Sequence, residues 1–497
     1  MRTQRVVAAV GGVGLVALAT WLALRHPENP VAPRAAASAD KTIDERVALF
    51  FQGLDALQNP PRSPAAVYSL SCGLSNMGPE AVPALSRALN SPGGEERIRR
   101  YHQAVAAQAL GRIGTAEAVQ ALLHSSAYRS DLAEAIALAG DDAKGPLREA
   151  LADPSEEVRF LAIEAMAQTA DSAFVEPLLK ALDASDSGLR GKACWALGEI
   201  GDTGATDRLI AIAGAAEPGR AYERKTAVEA LGRIGDRRAV QSLVAALRSS
   251  DADVAEAAAV ALGEIGDRRA VEPLLAALGT QAENVRAAAC RALGDIGDAQ
   301  AVRPLVKVLD TDKATGALRA AARALGCIGD PSAADALAGQ IEHGTWDLSD
   351  RMELAADLAG LGKPATERLL GLLGKGDPAL RAAGAYGLCR QGDARGLAPL
   401  LAAATDGAAS EMKCSAIAEL VAKRPTEVAQ ALSPQNRDLS VRRRLAEALP
   451  WVRDCTGTGI PREVLGALRD AAFADSDADV RKAALRSLQD LRARGDR

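Results

Sequence analysis

A phrase of seven residues recurs along most of this 497-residue chain, at intervals close to 31 residues. It reads Ala-Leu-Gly, an acidic residue and Ile-Gly-Asp from Ala261, and it returns almost unchanged from Ala292. Related copies end on the aspartates Asp171, Asp202, Asp236, Asp330 and Asp393. With the weaker copies on both sides, about thirteen or fourteen units result. Self-similarity at such a period is typical of a solenoid, in which stacked units bury a continuous core.

Each unit contains two amphipathic helical patterns joined by a short turn. Apolar residues recur at helical spacing from Val271 to Leu278, and a second apolar face runs from Val285 to Ile296. The Gly of Ile-Gly suits the left-handed conformation that ends a helix, and the Asp after it can accept from amides of the next helix. The predicted fold is therefore an all-α superhelix of helical hairpins over residues 42–497, with a capping helix at 42–58.

Two other repeated residues have predicted roles inside the hairpin. The Gly of Ala-Leu-Gly lies within the second helix, where it costs about 1 kcal/mol of helix propensity. We expect it to permit the close approach of a neighbouring helix, as at Gly263, Gly294 and Gly326. Prolines that stand six residues after the Asp are predicted to bend the first helix, at Pro177, Pro273 and Pro304.

These features together resemble a known class of repeat. A hairpin of about 31 residues in which Val-Arg opens the second helix and Ala-Val-x-Pro-Leu opens the next first helix resembles the HEAT repeat. It is similar to the short repeats of phycobilin lyases and deoxyhypusine hydroxylase, over roughly residues 65–495. The resemblance implies that the second helices line a concave wall. It also implies a ladder of arginines that bridge neighbouring turns, at Arg159, Arg190, Arg286, Arg319, Arg381, Arg442 and Arg481. Ala255 interrupts that ladder, which predicts one weaker joint.

The residues that would carry an enzyme's chemistry are not found in the sequence. Deoxyhypusine hydroxylases bind two iron ions with His-Glu dipeptides, whereas the four histidines here precede Pro, Gln, Ser and Gly. We therefore expect no metal, no cofactor, no small-molecule substrate and no catalytic residue. An enzyme of the phycobilin-lyase or deoxyhypusine-hydroxylase type, a lyase or an oxidoreductase, stays open as the alternative. The seven cysteines form no C-x-x-C pair, which favours free, buried thiols.

The first 25 residues are predicted to be a membrane anchor or a signal segment. Residues 6–24 carry no charge, are flanked by arginines and are long enough to cross a bilayer as a helix. The predicted N-terminal transmembrane helix would hold the repeats outside the cytoplasm, in the periplasm or at the cell surface. A Pro/Ala-rich linker follows at 26–41. A signal cleaved near Ala37, which would release a secreted protein, and an anchor with the opposite orientation are the alternatives.

The net charge of −5 excludes nucleic acid as the main partner, because neutralising phosphates requires a basic surface. A stripe at positions i, i+4 and i+8 of the second helices is instead predicted to bind a protein on the concave face. Its aromatic and arginine residues are of the types that anchor interfaces. A solvated face of ion pairs, or aromatic rings packed on the next repeat, is the competing interpretation. The candidate binding residues are Phe160, Trp195, Glu199, Glu229, Arg233, Glu264, Arg291, Asp295, Arg323, Tyr386, Arg390 and Trp451.

Overall fold

The chain folds as a succession of helical hairpins. The computed structural model describes residues 41–55, 64–91, 95–215, 220–404, 407–456 and 459–493. Within these residues it contains twenty-eight α-helices, which form fourteen hairpins. The all-α repeat fold predicted from the sequence is confirmed.

The first helices of the hairpins carry odd numbers. They are α1 (Ile43–Asp55), α3 (Val82–Leu89), α5 (Ala116–Leu123), α7 (Lys144–Ala150), α9 (Val175–Ala181), α11 (Thr206–Ala213), α13 (Val240–Ala246), α15 (Val271–Ala277), α17 (Val302–Thr311), α19 (Ala334–His343), α21 (Lys363–Leu373), α23 (Leu397–Ala402), α25 (Pro425–Leu432) and α27 (Arg462–Ala474).

The second helices carry even numbers. They are α2 (Pro64–Ser75), α4 (Glu96–Ile113), α6 (Arg129–Leu138), α8 (Glu156–Thr169), α10 (Ser187–Ile200), α12 (Ala221–Ile234), α14 (Ala252–Ile265), α16 (Glu283–Ile296), α18 (Thr315–Ile328), α20 (Leu348–Ala359), α22 (Pro378–Gln391), α24 (Gly407–Lys423), α26 (Leu439–Thr456) and α28 (Ala478–Ala493).

The helices group into two compact units, one ending at Ser242 and the other beginning at Leu243. In the first unit, each second helix from α2 to α12 packs against the second helix of the next hairpin. In the second unit, the second helices from α14 to α28 pack in the same way. Side chains that project from these helices away from the first helices therefore form a continuous face within each unit.

The residues that end one hairpin and begin the next have the backbone conformation and the capping hydrogen bond that the sequence predicts. Gly297 ends α16 in the left-handed region, at φ 71°. Asp298 then accepts a hydrogen bond from the amide of Gln300 at 3.0 Å. The helix that Asp298 caps is a single 3-10 turn, however, and α17 begins only at Val302. Pro304 is consequently the third residue of α17, where the missing N–H costs no hydrogen bond, and not the interior bend that the sequence indicates.

The glycines of the Ala-Leu-Gly phrase permit close packing of the second helices, which confirms their predicted role. A Cβ atom built on Gly294 would lie 2.7 Å from the Cα of Ala324, and one on Gly263 would lie 2.8 Å from the Cα of Ala292. Real side chains do not tolerate such distances. Neighbouring second helices therefore approach more closely at these points than any other residue type would allow.

The predicted arginine ladder is also confirmed. Nη1 of Arg286 donates to the carbonyl oxygens of Thr280 and Gln281, both at 3.0 Å, in the turn before its own helix. Its Nε and Nη2 donate to the carboxylate of Asp312 on the following turn, at 2.7 and 2.9 Å. Bonds to the carbonyls five and six residues earlier are repeated by Arg159, Arg190, Arg381 and Arg481. Most ladder arginines thus close a turn, and several, including Arg319 through Asp350, also bridge to the next. The weaker joint expected at Ala255 stays a prediction.

The predicted transmembrane helix is wrong for the fold that the structure describes. From residue 41 onwards, in the described ranges, no helix is both long and apolar enough to cross a membrane. The longest helices there, α4 and α26, have 18 residues and carry several arginines each, whereas a crossing requires about 20 mostly apolar residues. The predicted span at 6–24 lies outside the described residues. The membrane-anchored, extracytoplasmic localisation depended on that helix and is corrected with it. The domain bounds at 25 and 41 stay predictions.

Candidate binding surface on the second helices

Four aromatic side chains follow one another along the second helices of the first unit. We call them the aromatic row; its members are Tyr128, which immediately precedes α6, Phe160 on α8, Trp195 on α10 and Tyr222 on α12. Tyr128 is 37% exposed and Tyr222 is 58% exposed, and the other two are partly exposed. Aromatic residues make up only 3% of the chain. Their succession on exposed positions of neighbouring helices is therefore a distinctive feature of this face.

Two glycines on α10 provide backbone against which two rings of the row pack. A Cβ atom built on Gly188 would lie 3.1 Å from the Cζ of Phe160, and one on Gly191 would overlap the ring of Tyr222. The rings of α8 and α12 thus lie directly against the backbone of the helix between them. Because this packing fixes the rings before any partner binds, little side-chain entropy remains to be lost on binding.

Three cations stack on rings of the row. The Cζ of Arg100, on α4, lies 3.7 Å from the centroid of the Tyr128 ring. The Cζ of Arg129 lies 5.7 Å from the Phe160 centroid, and the Nζ of Lys192 lies 4.9 Å from the Trp195 centroid. These are distances at which a cation is attracted by the ring face.

The three stacked cations differ in their access to carboxylates. Nε of Arg129 lies 3.9 Å from Glu164, and its Nη2 donates to the carbonyl oxygen of Glu157 at 3.0 Å. Among the described residues, Arg100 and Lys192 have no carboxylate within 4.0 Å, and their stacking on the rings is their only recorded interaction. The row therefore presents two cations that form no ion pair with an acidic side chain among the described residues.

A similar pair lies at the other end of α4. The Cζ of Arg112 lies 4.2 Å from the centroid of Tyr68, which is on α2 and 57% exposed. Nε of Arg112 donates to the hydroxyl oxygen of Ser71 at 3.2 Å. No carboxylate among the described residues lies within 4.0 Å of this guanidinium either. Among the described residues of the first unit, an exposed or partly exposed ring thus stacks three times with a cation that forms no ion pair.

The predicted residues of the first unit divide into two groups. Phe160 and Trp195 belong to the aromatic row. Arg233 instead forms an ion pair with Glu199 across α10 and α12, with 3.4 Å between Nε and Oε1. Glu229 lies 4.0 Å from Lys225 on its own helix. For these charged positions the structure favours the competing interpretation, a solvated face of ion pairs, which contributes only a few tenths of a kcal/mol per pair.

The predicted residues of the second unit do not form a comparable row. Trp451 on α26 is 62% exposed. Arg390 is paired with Glu419, with 2.7 Å between Nη1 and Oε2. The remaining charged residues project into solvent from α14, α16 and α18, namely Glu264, Arg291, Asp295 and Arg323. The second unit thus contributes separated exposed groups to the predicted stripe.

Tyr386 is the clear correction to the stripe. Its side chain is only 5% exposed and lies in a core cluster with Met352 of α20 and Ile417 of α24. Because α20 and α24 both pack against α22, the ring is covered from both sides. Burial raises the pKa of its hydroxyl. The prediction that Tyr386 contributes an exposed contact is therefore wrong.

Seven residues of the surface were missed by the sequence reasoning, namely Tyr68, Arg100, Arg112, Tyr128, Arg129, Lys192 and Tyr222. Tyr222 stands ten residues before Gly232 of its repeat, one helical turn beyond the first position of the predicted stripe. Extending the stripe by that turn finds it. Tyr128 belongs to a repeat without the Ala-Leu-Gly phrase, so that an alignment on the phrase passes over it.

A polar groove in the second unit provides a contrast with the row. It encloses about 650 Å³ and is lined in part by Arg390, Arg395, Lys423 and Arg424. Each of these cations has a carboxylate partner within 3.5 Å, on Asp393, Glu419 or Glu427. The positive charge of the groove is thus neutralised internally, unlike that of Arg100 and Lys192.

Metal ligands are not clustered in the part of the chain that the structure describes. No cluster of three or more His, Cys, Asp or Glu side chains there could hold a metal ion. Burial raises the pKa of the thiols of Cys194, Cys290 and Cys389 to about 12. Because the thiolate is the reactive form, these cysteines are not nucleophiles at neutral pH.

Part of the chain, which includes hairpins with these glycine contacts, capping aspartates and ladder arginines, matches known patterns of the HEAT repeat. The family pattern described as HEAT repeats matches residues 145–221, 215–284 and 272–349. The pattern described as the PBS lyase HEAT-like repeat matches residues 103–127. The chain therefore carries HEAT repeats that include the phycobilin-lyase type, and the resemblance stated from the sequence is confirmed.

Several solved structures are similar to the chain. The complex of CpcE and CpcF of phycocyanin lyase from Nostoc is 25% identical, with a TM-score of 0.32, over 46% of this chain and 94% of that one. Human deoxyhypusine hydroxylase is 21% identical, with a TM-score of 0.24, over 50% and 95%. The nuclear import protein Kap95p is 13% identical, with a TM-score of 0.49, over 98% and 73%. No curated protein is similar enough to the chain to count as a match.

Proposed function

We propose that the chain is a non-catalytic scaffold that binds another protein through the aromatic row of its first unit. The observation that carries the proposal is the succession of exposed or partly exposed rings from Tyr128 to Tyr222, two of them stacked with cations that form no ion pair among the described residues. Aromatic and arginine side chains supply most of the binding energy in protein interfaces. A face that concentrates them is therefore suited to a protein partner.

The dimensions of the row support a macromolecular partner. Packed helices lie about 8–10 Å apart, so that the five second helices from α4 to α12 span roughly 32–40 Å. A standard interface contributes about 800 Å² per partner, and a face of this length can supply it. A small molecule, in contrast, is bound in a concave site that buries most of its surface. The aromatic row is an extended, open face, which suits a protein partner better than a small molecule.

Affinity capture with the full chain tests the proposal. Tyr222→Ala and Trp195→Ala should each weaken retention of the captured protein by about thirtyfold, the effect of truncating an interface anchor. Phe473→Ala is the matched control, because Phe473 is an aromatic residue, 76% exposed, on the first helix α27. Loss of binding in all three variants, or in none, would contradict the proposal. So would a catalytic product obtained in the absence of any stable partner.

A further inference from the structure

The cations of the aromatic row that form no ion pair among the described residues indicate which chemistry the partner presents. Resting on the proposed function, we infer that the partner binds the row as an extended acidic peptide segment, whose carboxylates pair with Arg100 and Lys192. Arg100 is exposed and Lys192 is partly exposed, so that both stacked cations are accessible to an anion from solvent. An arginine edge is suited to paired hydrogen bonds with a carboxylate.

Stacking prepares Arg100 for this contact. A guanidinium held 3.7 Å above the Tyr128 ring has fewer rotamers to lose when a carboxylate binds. The hydroxyl of Tyr128 donates to Glu96 at 3.4 Å, which holds the ring in turn. Arg100 and Arg112 on α4 each form no ion pair within 4.0 Å among the described residues, so that the field beside these two side chains is positive although the whole chain is acidic. An acidic partner is complementary to that field.

The geometry of the row sets the spacing of the peptide. Neighbouring second helices lie about 9 Å apart, and an extended chain rises about 3.3 Å per residue, so that about three residues pass each helix. Arg100 on α4 and Lys192 on α10 are three helices apart. Their two carboxylate partners are therefore expected about eight residues apart, within a segment of roughly 12 residues that crosses the row.

A single-stranded nucleic acid also combines planar groups with negative charge, but the row favours a peptide. A nucleic-acid backbone carries a charge at every nucleotide, and along α8 and α10 it would meet Glu157, Glu164 and Glu199. A peptide can place its carboxylates only where the cations are. Arg129, which is stacked on Phe160, lies 3.9 Å from the carboxylate of Glu164, so that a stacked cation of this face can pair with a carboxylate.

Selection of peptides from a random 12-residue display library, with the full chain as bait, tests the inference. We expect the enriched peptides to be acidic, with two carboxylates about eight residues apart. Their affinity should fall roughly tenfold for Arg100→Gln and for Lys192→Gln, the loss typical of a charged hydrogen bond. Arg303→Gln is the matched control, because Arg303 is an exposed cation on the first helix α17, and it should leave the affinity unchanged.

Other outcomes separate the inference from the proposed function. Enrichment of neutral or basic peptides that lose binding to Tyr222→Ala would overturn the inference and leave the binding surface intact. Peptides that bind Tyr222→Ala as well as the unmodified chain would overturn both. A failure to enrich any peptide would overturn the inference. So would Arg100-dependent binding of a labelled 12-nucleotide oligo(dT) in the absence of acidic peptides, which would identify single-stranded nucleic acid as the ligand.

Discussion

Replacing Arg442 by methionine should strongly destabilise the last hairpin of the array. Arg442 donates from Nε and Nη2 to the two carboxylate oxygens of Asp475, at 2.7 and 2.8 Å, and the two side chains are 3% and 0% exposed. The substitution keeps the bulk of the side chain but leaves a buried carboxylate without its counter-ion. Removing one partner of a buried ion pair costs about 3–5 kcal/mol.

Hydrogen exchange provides the assay, because a repeat protein opens locally and a single melting curve averages over the array. The amides of α27 and α28 should lose protection by about two to four powers of ten, and those of distant hairpins should be unchanged. Arg443→Met is the matched control: its pair with Glu447 is about half exposed, and its loss should cost at most about 0.5 kcal/mol. Equal effects of the two substitutions would refute the reasoning.

The same substitution should have a characteristic pH dependence. Burial alone would raise the pKa of Asp475, but hydrogen bonds from Arg442 and from the amide of Asp477 outweigh it and hold the pKa below its usual value. In the unmodified chain the pair therefore stabilises above about pH 4, and this contribution is lost at lower pH. With methionine at 442 the buried carboxyl prefers its neutral form. The penalty of the substitution should thus shrink as the pH falls from 7 to 4, and a constant penalty would contradict the assignment.

Three further predictions concern the packing and the titrating groups. Gly294→Ala should lower the free energy of unfolding, measured by thermal melts, by about 1–3 kcal/mol, because the added methyl group overpacks the helix contact. Gly339 has open space around it, so that Gly339→Ala should raise the free energy of unfolding by up to about 1 kcal/mol. Burial raises the pKa of Asp357 to about 7, above its value in the unfolded chain, so that the free energy of unfolding should fall as the pH rises from 4 through 7. In Asp357→Asn this fall should be absent, which a comparison of melting temperatures at pH 5 and pH 8 measures. In the folded protein iodoacetamide should modify the exposed Cys327 and spare the buried thiols of Cys194, Cys290 and Cys389.

The fold could be predicted from the sequence because each residue of the repeated phrase has one local structural role. The turn of Gly297 and the cap of Asp298 depend only on neighbouring residues, and the contact of Gly294 recurs with the repeat. The position of Pro304 was misjudged because a 3-10 turn delays the start of α17. The residues of that turn have no sequence pattern that distinguishes them from the first residues of the helix that follows.

The candidate site could be predicted only in part. Phe160 and Trp195 were found because they occupy positions fixed by the repeat, and Tyr222 was missed because the stripe ended one turn too early. Whether a ring at such a position is exposed depends on the neighbouring helices. Tyr386 is covered by α20 and α24, and this follows from their packing against α22 and not from the spacing of residues along one helix.

Hydroxyl-radical footprinting of the full chain, alone and with its captured partner, tests directly whether a protein covers the aromatic row. We expect the partner to protect all four members of the row and to leave Phe473 on α27 as reactive as in the free chain. Unchanged labelling of the row, together with protection of Phe473 or of other residues on the first helices, would contradict this expectation.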